Sequence, residues 1–85
     1  MEVTIKTEDI RRISKMLRSE IELYTDERYY LDLEPNHEEK TLFVYLSKDG
    51  SKSSLLLTSE EIELSIDITP KLKDFVLNFF SREVL

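Results

Sequence analysis

The sequence has no cysteine, no tryptophan, one glycine, two prolines and one histidine. Without cysteine the chain can form no disulfide, thiolate metal site or cysteine nucleophile, and this composition is typical of proteins from a reducing compartment. A single glycine, Gly50, cannot form a glycine-rich phosphate-binding loop. Because glycine and proline interrupt regular structure, their scarcity predicts a few long elements joined by short turns.

Long apolar segments are absent as well. No stretch approaches the ~20 apolar residues that a membrane-spanning helix requires. The first ten residues, MEVTIKTEDI, lack the continuous apolar segment of a secretory signal peptide. We therefore expect a cytoplasmic protein that does not associate with membranes.

The residues that are present are typical of a small folded domain. Of 85 residues, 40% are hydrophobic and 35% are charged, a balance found in globular rather than disordered chains. We expect residues 1–85 to form a single α+β domain. A chain of this size buries only about 60–65% of the surface that it exposes when unfolded, so one compact core is expected and a deep pocket is not.

Two segments have helical periodicity, residues 7–24 and residues 69–85. Thr7 is the predicted N-cap of the first helix, and acids follow it where the helix dipole favours them. Thr69 is the predicted N-cap of the second, and Pro70 then occupies the first helical position, where its missing N–H is tolerated. The apolar stripes are Ile10, Ile13, Leu17, Ile21 and Tyr24 in the first helix, and Leu72, Phe75, Val76, Phe79 and Phe80 in the second.

Three strands are predicted between the helices. Residues 28–34 (RYYLDLE) alternate, with Tyr29, Leu31 and Leu33 facing the core. Residues 35–40 (PNHEEK) are predicted as a turn. Residues 41–47 (TLFVYLS) are apolar at five consecutive positions, which suits either a strand covered on both faces or one with an apolar patch on its outer face. The pair Asp49-Gly50 then predicts a hairpin into SSLLLT at 53–58.

Two further segments are less regular. The segment EVTIK, residues 2–6, is predicted as a short strand. In TSEEIELSIDI, Thr58 and Glu61 fit a capping box, which predicts a helix, whereas alternating isoleucine and leucine from Ile62 to Ile68 predict a strand. We favour the strand. The expected fold is therefore a three- to four-stranded antiparallel meander with two helices packed on one face, in the order (β)-α-β-β-β-(β)-α.

Catalysis is not expected from these residues, nor is a metal or cofactor. His37 lies in a charged turn, where nothing would orient it for proton transfer or metal binding. One pattern, Asp32 followed by Glu38-x-Lys40, resembles the acidic and lysine groups of metal-dependent nucleases. Because Glu38 and Lys40 fall in a predicted turn, we rank this enzyme hypothesis below the binding hypotheses.

An acidic segment supports the leading hypothesis. Residues 20–39 hold eight acids and one base, Arg28, in a chain of net charge −6. The outward-facing side of the first strand and its flanks would form an acidic face that docks on a basic protein surface, with Tyr30 and Tyr45 as amphipathic anchors. The face comprises Asp26, Glu27, Tyr30, Asp32, Glu34, Glu38 and Glu39.

In size, charge sign and mixed helix–sheet character, the chain resembles small acidic phage proteins that block nucleases or CRISPR effectors. That resemblance implies an inhibitor that mimics nucleic acid and binds a nucleic-acid-binding protein. The alternative is that the acids only keep an edge strand soluble and discourage edge-to-edge pairing.

A basic stripe on the first helix supports a different function. Arg11, Arg12, Lys15 and Arg18 would form a phosphate-binding face. The order helix–three strands–helix resembles that of double-stranded-RNA-binding domains. That family, however, has a basic cluster at the start of its last helix, where this chain has only Lys71 and Lys73, and the net charge of −6 opposes direct nucleic-acid binding.

Apolar residues outside the predicted stripes suggest self-association. Leu77 falls off the stripe of the last helix, Leu56 lies between two other leucines, and the chain ends on Val84 and Leu85. Extra apolar surface of this kind often forms a dimer contact, so a homodimer is an open alternative.

Overall fold

The computed structural model describes residues 5–64 and 68–83. Its three strands form one antiparallel sheet in the order β1-β2-β3, so the predicted α+β class and meander are confirmed. The elements are α1 (Thr7–Glu22), β1 (Tyr30–Asn36), β2 (Thr41–Lys48), β3 (Ser51–Thr58), α2 (Ser59–Leu64) and α3 (Ile68–Glu83).

Helix α1 follows the predicted periodicity. Its N-cap is Lys6 rather than Thr7, and the Asp9 carboxylate accepts a hydrogen bond of 3.3 Å from the Lys6 backbone N–H. Tyr24 lies just beyond the end of the helix, and its ring stacks on Phe80 of α3 with 5.2 Å between the centroids. The C-terminal ends of α1 and α3 are therefore close together.

The turns of the sheet follow from their residues. Asp49 and Gly50 both have positive φ, 50° and 86°. A two-residue hairpin turn whose twist matches that of the strands requires positive φ at both of its residues. Between β1 and β2, the Asn36 side-chain oxygen accepts hydrogen bonds from the N–H groups of Glu38 and Glu39, at 3.1 and 3.0 Å. The predicted turn at 35–40 is too long, because β1 continues through Pro35 to Asn36. Proline is tolerated there because β1 is an edge strand.

The core lies between one face of the sheet and the helices α1 and α3. Alternate residues of β2 point into it, and three of them, Leu42, Val44 and Leu46, are fully buried. Tyr29, Leu31 and Leu33 pack against the same core, as their alternation predicts. Among the described residues, the buried apolar set is Ile5, Ile13, Leu17, Ile21, Leu42, Val44, Leu46, Leu57, Ile62, Ile68, Leu72, Phe75, Val76, Phe79 and Phe80.

The predicted fourth strand is wrong for residues 59–64, which form α2. The capping box decides the outcome: the Thr58 N–H donates to Glu61 Oε1 at 3.1 Å, and the Glu61 N–H donates to Thr58 Oγ1 at 3.2 Å. Ile62 is buried, but Leu64 is 64% exposed, whereas a strand would place both on one face. The rest of the alternating segment, residues 65–67, lies outside the described residues.

Two predicted boundaries also change. Helix α3 begins at Ile68, so Thr69 is already helical and is not the N-cap. The predicted strand at 2–6 falls mostly outside the described residues, and its last two residues, Ile5 and Lys6, are not in a strand. Ile5 is buried in the core, so its apolar side chain serves packing.

We expect the Glu61 contacts to make stability depend on pH. The hydrogen bond from Lys71 lowers the pKa of Glu61 most; burial opposes this shift, and hydrogen bonds from Thr58 add to it. A carboxyl whose folded pKa is depressed stabilises the fold above its unfolded pKa, and this contribution is lost as pH falls through the folded pKa. Glu61→Gln should therefore lower the free energy of unfolding by up to about 1 kcal/mol at neutral pH.

Urea unfolding at neutral and acidic pH measures this effect. The difference between Glu61→Gln and the unmodified protein should shrink as pH falls through the carboxyl pKa. Glu60→Gln, at the exposed neighbouring acid, is the control and should show little difference at either pH. A Glu61→Gln difference that stays constant across the pH range would contradict the assignment.

Candidate protein-binding face of the sheet

The described helices cover one face of the sheet and leave the other open. Because side chains alternate along a strand, Phe43 and Tyr45 point away from the core that their neighbours fill. The register places Phe43 between Glu34 of β1 and Leu56 of β3. Phe43 is 41% exposed and Leu56 is 55% exposed. We call the outward-pointing residues of the sheet the open face: Tyr30, Asp32, Glu34, Asn36, Thr41, Phe43, Tyr45, Ser47, Lys52, Ser54, Leu56 and Thr58.

Aromatic and acidic side chains lie side by side on the open face. The rings of Tyr30 and Tyr45 meet edge to face, with 6.0 Å between their centroids. The register sets Asp32 opposite Tyr45. Tyr30 is 58% exposed, so one edge of this pair is available to solvent. Tyrosine combines an apolar ring with a polar hydroxyl, and it is enriched at protein–protein interfaces.

At the turn end of the open face there is a shallow depression of about 560 Å³. Two acids, Glu34 and Glu38, line it together with the apolar side chains of Phe43 and Leu56. The register places Glu34 directly beside Phe43. Such a combination suits a long basic side chain, whose aliphatic stem packs on apolar surface while its charged end meets a carboxylate. The described residues that line it are Glu34, Pro35, Asn36, His37, Glu38, Thr41, Phe43 and Leu56.

The structure divides the predicted acidic face. Tyr30, Asp32 and Glu34 share the outward side of β1, and the turn that carries Glu38 and Glu39 continues from its end. Asp26 and Glu27 lie before β1, at its other end. There Glu27 Oε1 is 3.6 Å from the Nζ of Lys48, a buried residue of β2 that also contacts Asp49. Glu27 is therefore partly neutralised and lies away from the depression.

Of the described residues that line the depression, the predicted acidic face contained only Glu34 and Glu38. It missed the other six: Pro35, Asn36, His37, Thr41, Phe43 and Leu56. The five consecutive apolar residues of β2 already allowed for an apolar outer patch, and the structure places Phe43 and Tyr45 in it. Leu56 could have been found from the hairpin register, because a two-residue turn at Asp49-Gly50 fixes which residues of β2 and β3 are opposite each other.

The four basic residues of α1 are exposed, but two make contacts within the protein. Arg12 Nη2 lies 3.4 Å from the Ile62 carbonyl oxygen and 3.6 Å from an Asp9 carboxylate oxygen. Arg18 Nε donates to Ser14 Oγ at 3.4 Å. Arg11 and Lys15 complete the stripe. These internal contacts hold Arg12 toward α2, where it is less free to follow a phosphate backbone.

The proposed nuclease residues are separated along β1. Asp32 lies four residues before Asn36, or about 13 Å along a strand, while Glu38 and Lys40 lie in the turn beyond it. Among residues 5–64 and 68–83, no group of three or more histidine, aspartate or glutamate side chains is placed to hold a metal ion. No helix in these ranges has the length and apolar character needed to cross a membrane.

Comparisons with known proteins give no relative from which a function could be transferred. No protein-family model matches the chain, no curated protein matches it significantly, and no solved structure does. Function must therefore be inferred from the residues of the site itself.

Proposed function

We propose that this chain is a non-enzymatic protein-binding module that docks the open face and its acidic turn on a basic surface of another protein. The depression beside Phe43 is the observation that carries the proposal. It brings carboxylates from β1 and from the turn next to exposed apolar side chains of β2 and β3.

An arginine or lysine of the partner would enter this depression. Its stem would pack on Phe43 and Leu56, and its charge would meet Glu34 and Glu38. Isolated surface ion pairs contribute little, but a charge pair desolvated beside an apolar anchor contributes more. The Tyr30–Tyr45 pair extends the contact along the sheet with rigid side chains that lose little entropy on binding.

The expected partner is basic, and a protein that normally holds nucleic acid fits this description. Asp32 and Glu34 are alternate residues of β1, so their carboxylates lie on one face about 7 Å apart. A row of negative charge on an acidic molecule also speeds association with a basic groove. Inhibition of such a partner by occupying its nucleic-acid site is the more specific form of the proposal.

Affinity capture with three tagged proteins tests the proposal. The unmodified protein and an Asp74→Lys control should retain the same basic partner from nuclease-treated lysate, and Glu34→Lys should lose it. The two variants change charge equally, but Asp74 is exposed on α3, on the far side of the sheet. Because the contact is electrostatic, raising the salt concentration should release the partner.

Two results would contradict the proposal. In one, Glu34→Lys retains the partner as well as the Asp74→Lys control does. In the other, untreated lysate yields nucleic acid that Arg12→Glu no longer captures, which would assign binding to the basic stripe of α1.

A further inference from the structure

A second concave site lies on the helical side of the molecule, between α1 and the first turns of α3. It is a groove of about 350 Å³, within the range of small-molecule sites, about 300–1,000 Å³. We call it the helix groove. Its lining is Arg12, Lys15, Met16, Ser19, Glu20, Thr69, Leu72 and Lys73.

The floor of the helix groove is apolar. Leu72 is almost fully buried, and Met16 is partly buried and packs against the core. Methionine is flexible and polarisable, so it adapts to the shape of an apolar ligand. A hydrocarbon chain lying on Met16 and Leu72 would remove apolar surface from water.

The rim of the helix groove is basic, although the chain as a whole carries a net charge of −6. Arg12 and Lys15 come from α1, and Lys73 comes from α3. Lys15 and Lys73 form no ion pair with any residue of the described ranges. Arg12 is oriented by Asp9 and the Ile62 carbonyl. Among the described lining residues Glu20 is the one acid, so three basic side chains and one acidic side chain of the described ranges line the helix groove.

We propose that the helix groove binds a small amphipathic anion: a single carboxylate or phosphate group on a linear hydrocarbon body. The head group would contact Lys15, Lys73 and Arg12, and the hydrocarbon would lie on Met16 and Leu72. Charge complementarity with the unpaired lysines selects the anion, and the apolar floor selects its body. The helix groove is separate from the open face, so this site does not depend on the proposed protein contact.

Methyl NMR with three ten-carbon probes tests the site. Decanoate and decyl phosphate carry the two anionic head groups, and decanol carries none. The chain has two methionines, so the Met16 methyl group gives a resolved signal at the floor. Both anions, or one of them, should shift the Met16 and Leu72 methyl signals at concentrations where decanol does not. The anion that binds more tightly identifies the head group.

Charge reversal separates this site from general attraction. Lys15→Glu combined with Lys73→Glu should lower the affinity for the more tightly bound anion at least about tenfold. Lys52→Glu, at an exposed lysine of the open face, should change its affinity less than about twofold. Unchanged spectra of these exposed-site variants elsewhere would show that they fold.

Three outcomes would overturn the proposal. Neither anion shifts the Met16 methyl signal; decanol shifts it as much as the anions do; or Lys52→Glu weakens binding as much as the Lys15/Lys73 double variant. A short oligonucleotide that displaces the bound anion and itself loses affinity in the double variant would reassign the lysines to phosphate-backbone contacts.

Discussion

Phe79→Ala should lower the free energy of unfolding by about 3–5 kcal/mol, because removing a buried aromatic ring leaves a cavity. Phe79 is 1% exposed and packs edge to face on Phe80, with 5.1 Å between the ring centroids. Phe80 in turn stacks on Tyr24, so the ring of Phe79 supports the contact between α3 and the end of α1. A chain of this length is stable by about 4–13 kcal/mol in total, so the loss would be a large share of its stability.

Urea unfolding compares Phe79→Ala with Leu77→Ala on the same helix. Leu77 is 46% exposed, and its truncation should cost less than about 1 kcal/mol. Equal losses for the two variants would mean that α3 does not direct Phe79 into the core.

Phe43→Ala should weaken binding to the captured partner by about 2 kcal/mol or more, roughly thirtyfold, while changing stability little. Phe43 lies at the centre of the open face, between Glu34 and Leu56. An aromatic residue at the centre of an interface contributes most when the groups around it exclude water from the contact. Its cross-strand contact with Leu56 contributes only about 0.2–1 kcal/mol to the fold. Calorimetric titration of the purified partner measures the affinity.

Leu77→Ala is again the matched control, because Leu77 and Phe43 are similarly exposed, at 46% and 41%. It should leave affinity unchanged. If Phe43→Ala also leaves affinity unchanged, the open face does not contact the partner. If Leu77→Ala weakens binding instead, the partner binds α3.

The fold was largely predictable because local signals and the hydrophobic pattern agreed. Helical spacing identified Ile13, Leu17 and Ile21 as core residues, and Asp49-Gly50 fixed the hairpin. The local signals and the hydrophobic pattern conflicted between Thr58 and Ile68, where alternation favoured a strand and the capping box favoured a helix. The segment from Ser59 to Leu64 forms a helix, because the capping box gives hydrogen-bond partners to backbone N–H groups at the helix start. A period of two over a few residues imposes no such requirement.

The candidate site was only partly predictable. Alternation placed Tyr30, Asp32 and Glu34 together, since that inference needs one strand alone. The position of Glu34 beside Phe43 and Leu56 depends on how three strands pair. Alternation within one strand does not specify that pairing. The pairing of Glu27 with Lys48 likewise joins residues that are distant in sequence.

Site-specific photo-crosslinking from position 43 tests the central claim most directly. A photoreactive benzoylphenylalanine replaces Phe43 in one protein and Leu77 in a second, and each is irradiated in cells that produce the chain naturally. We predict a covalent adduct from position 43 and none from position 77. Mass spectrometry should place the crosslink beside an arginine or lysine of a basic protein, and Glu34→Lys should abolish the adduct. An adduct from position 77 alone, or one from position 43 that joins only two copies of this chain, would contradict the account.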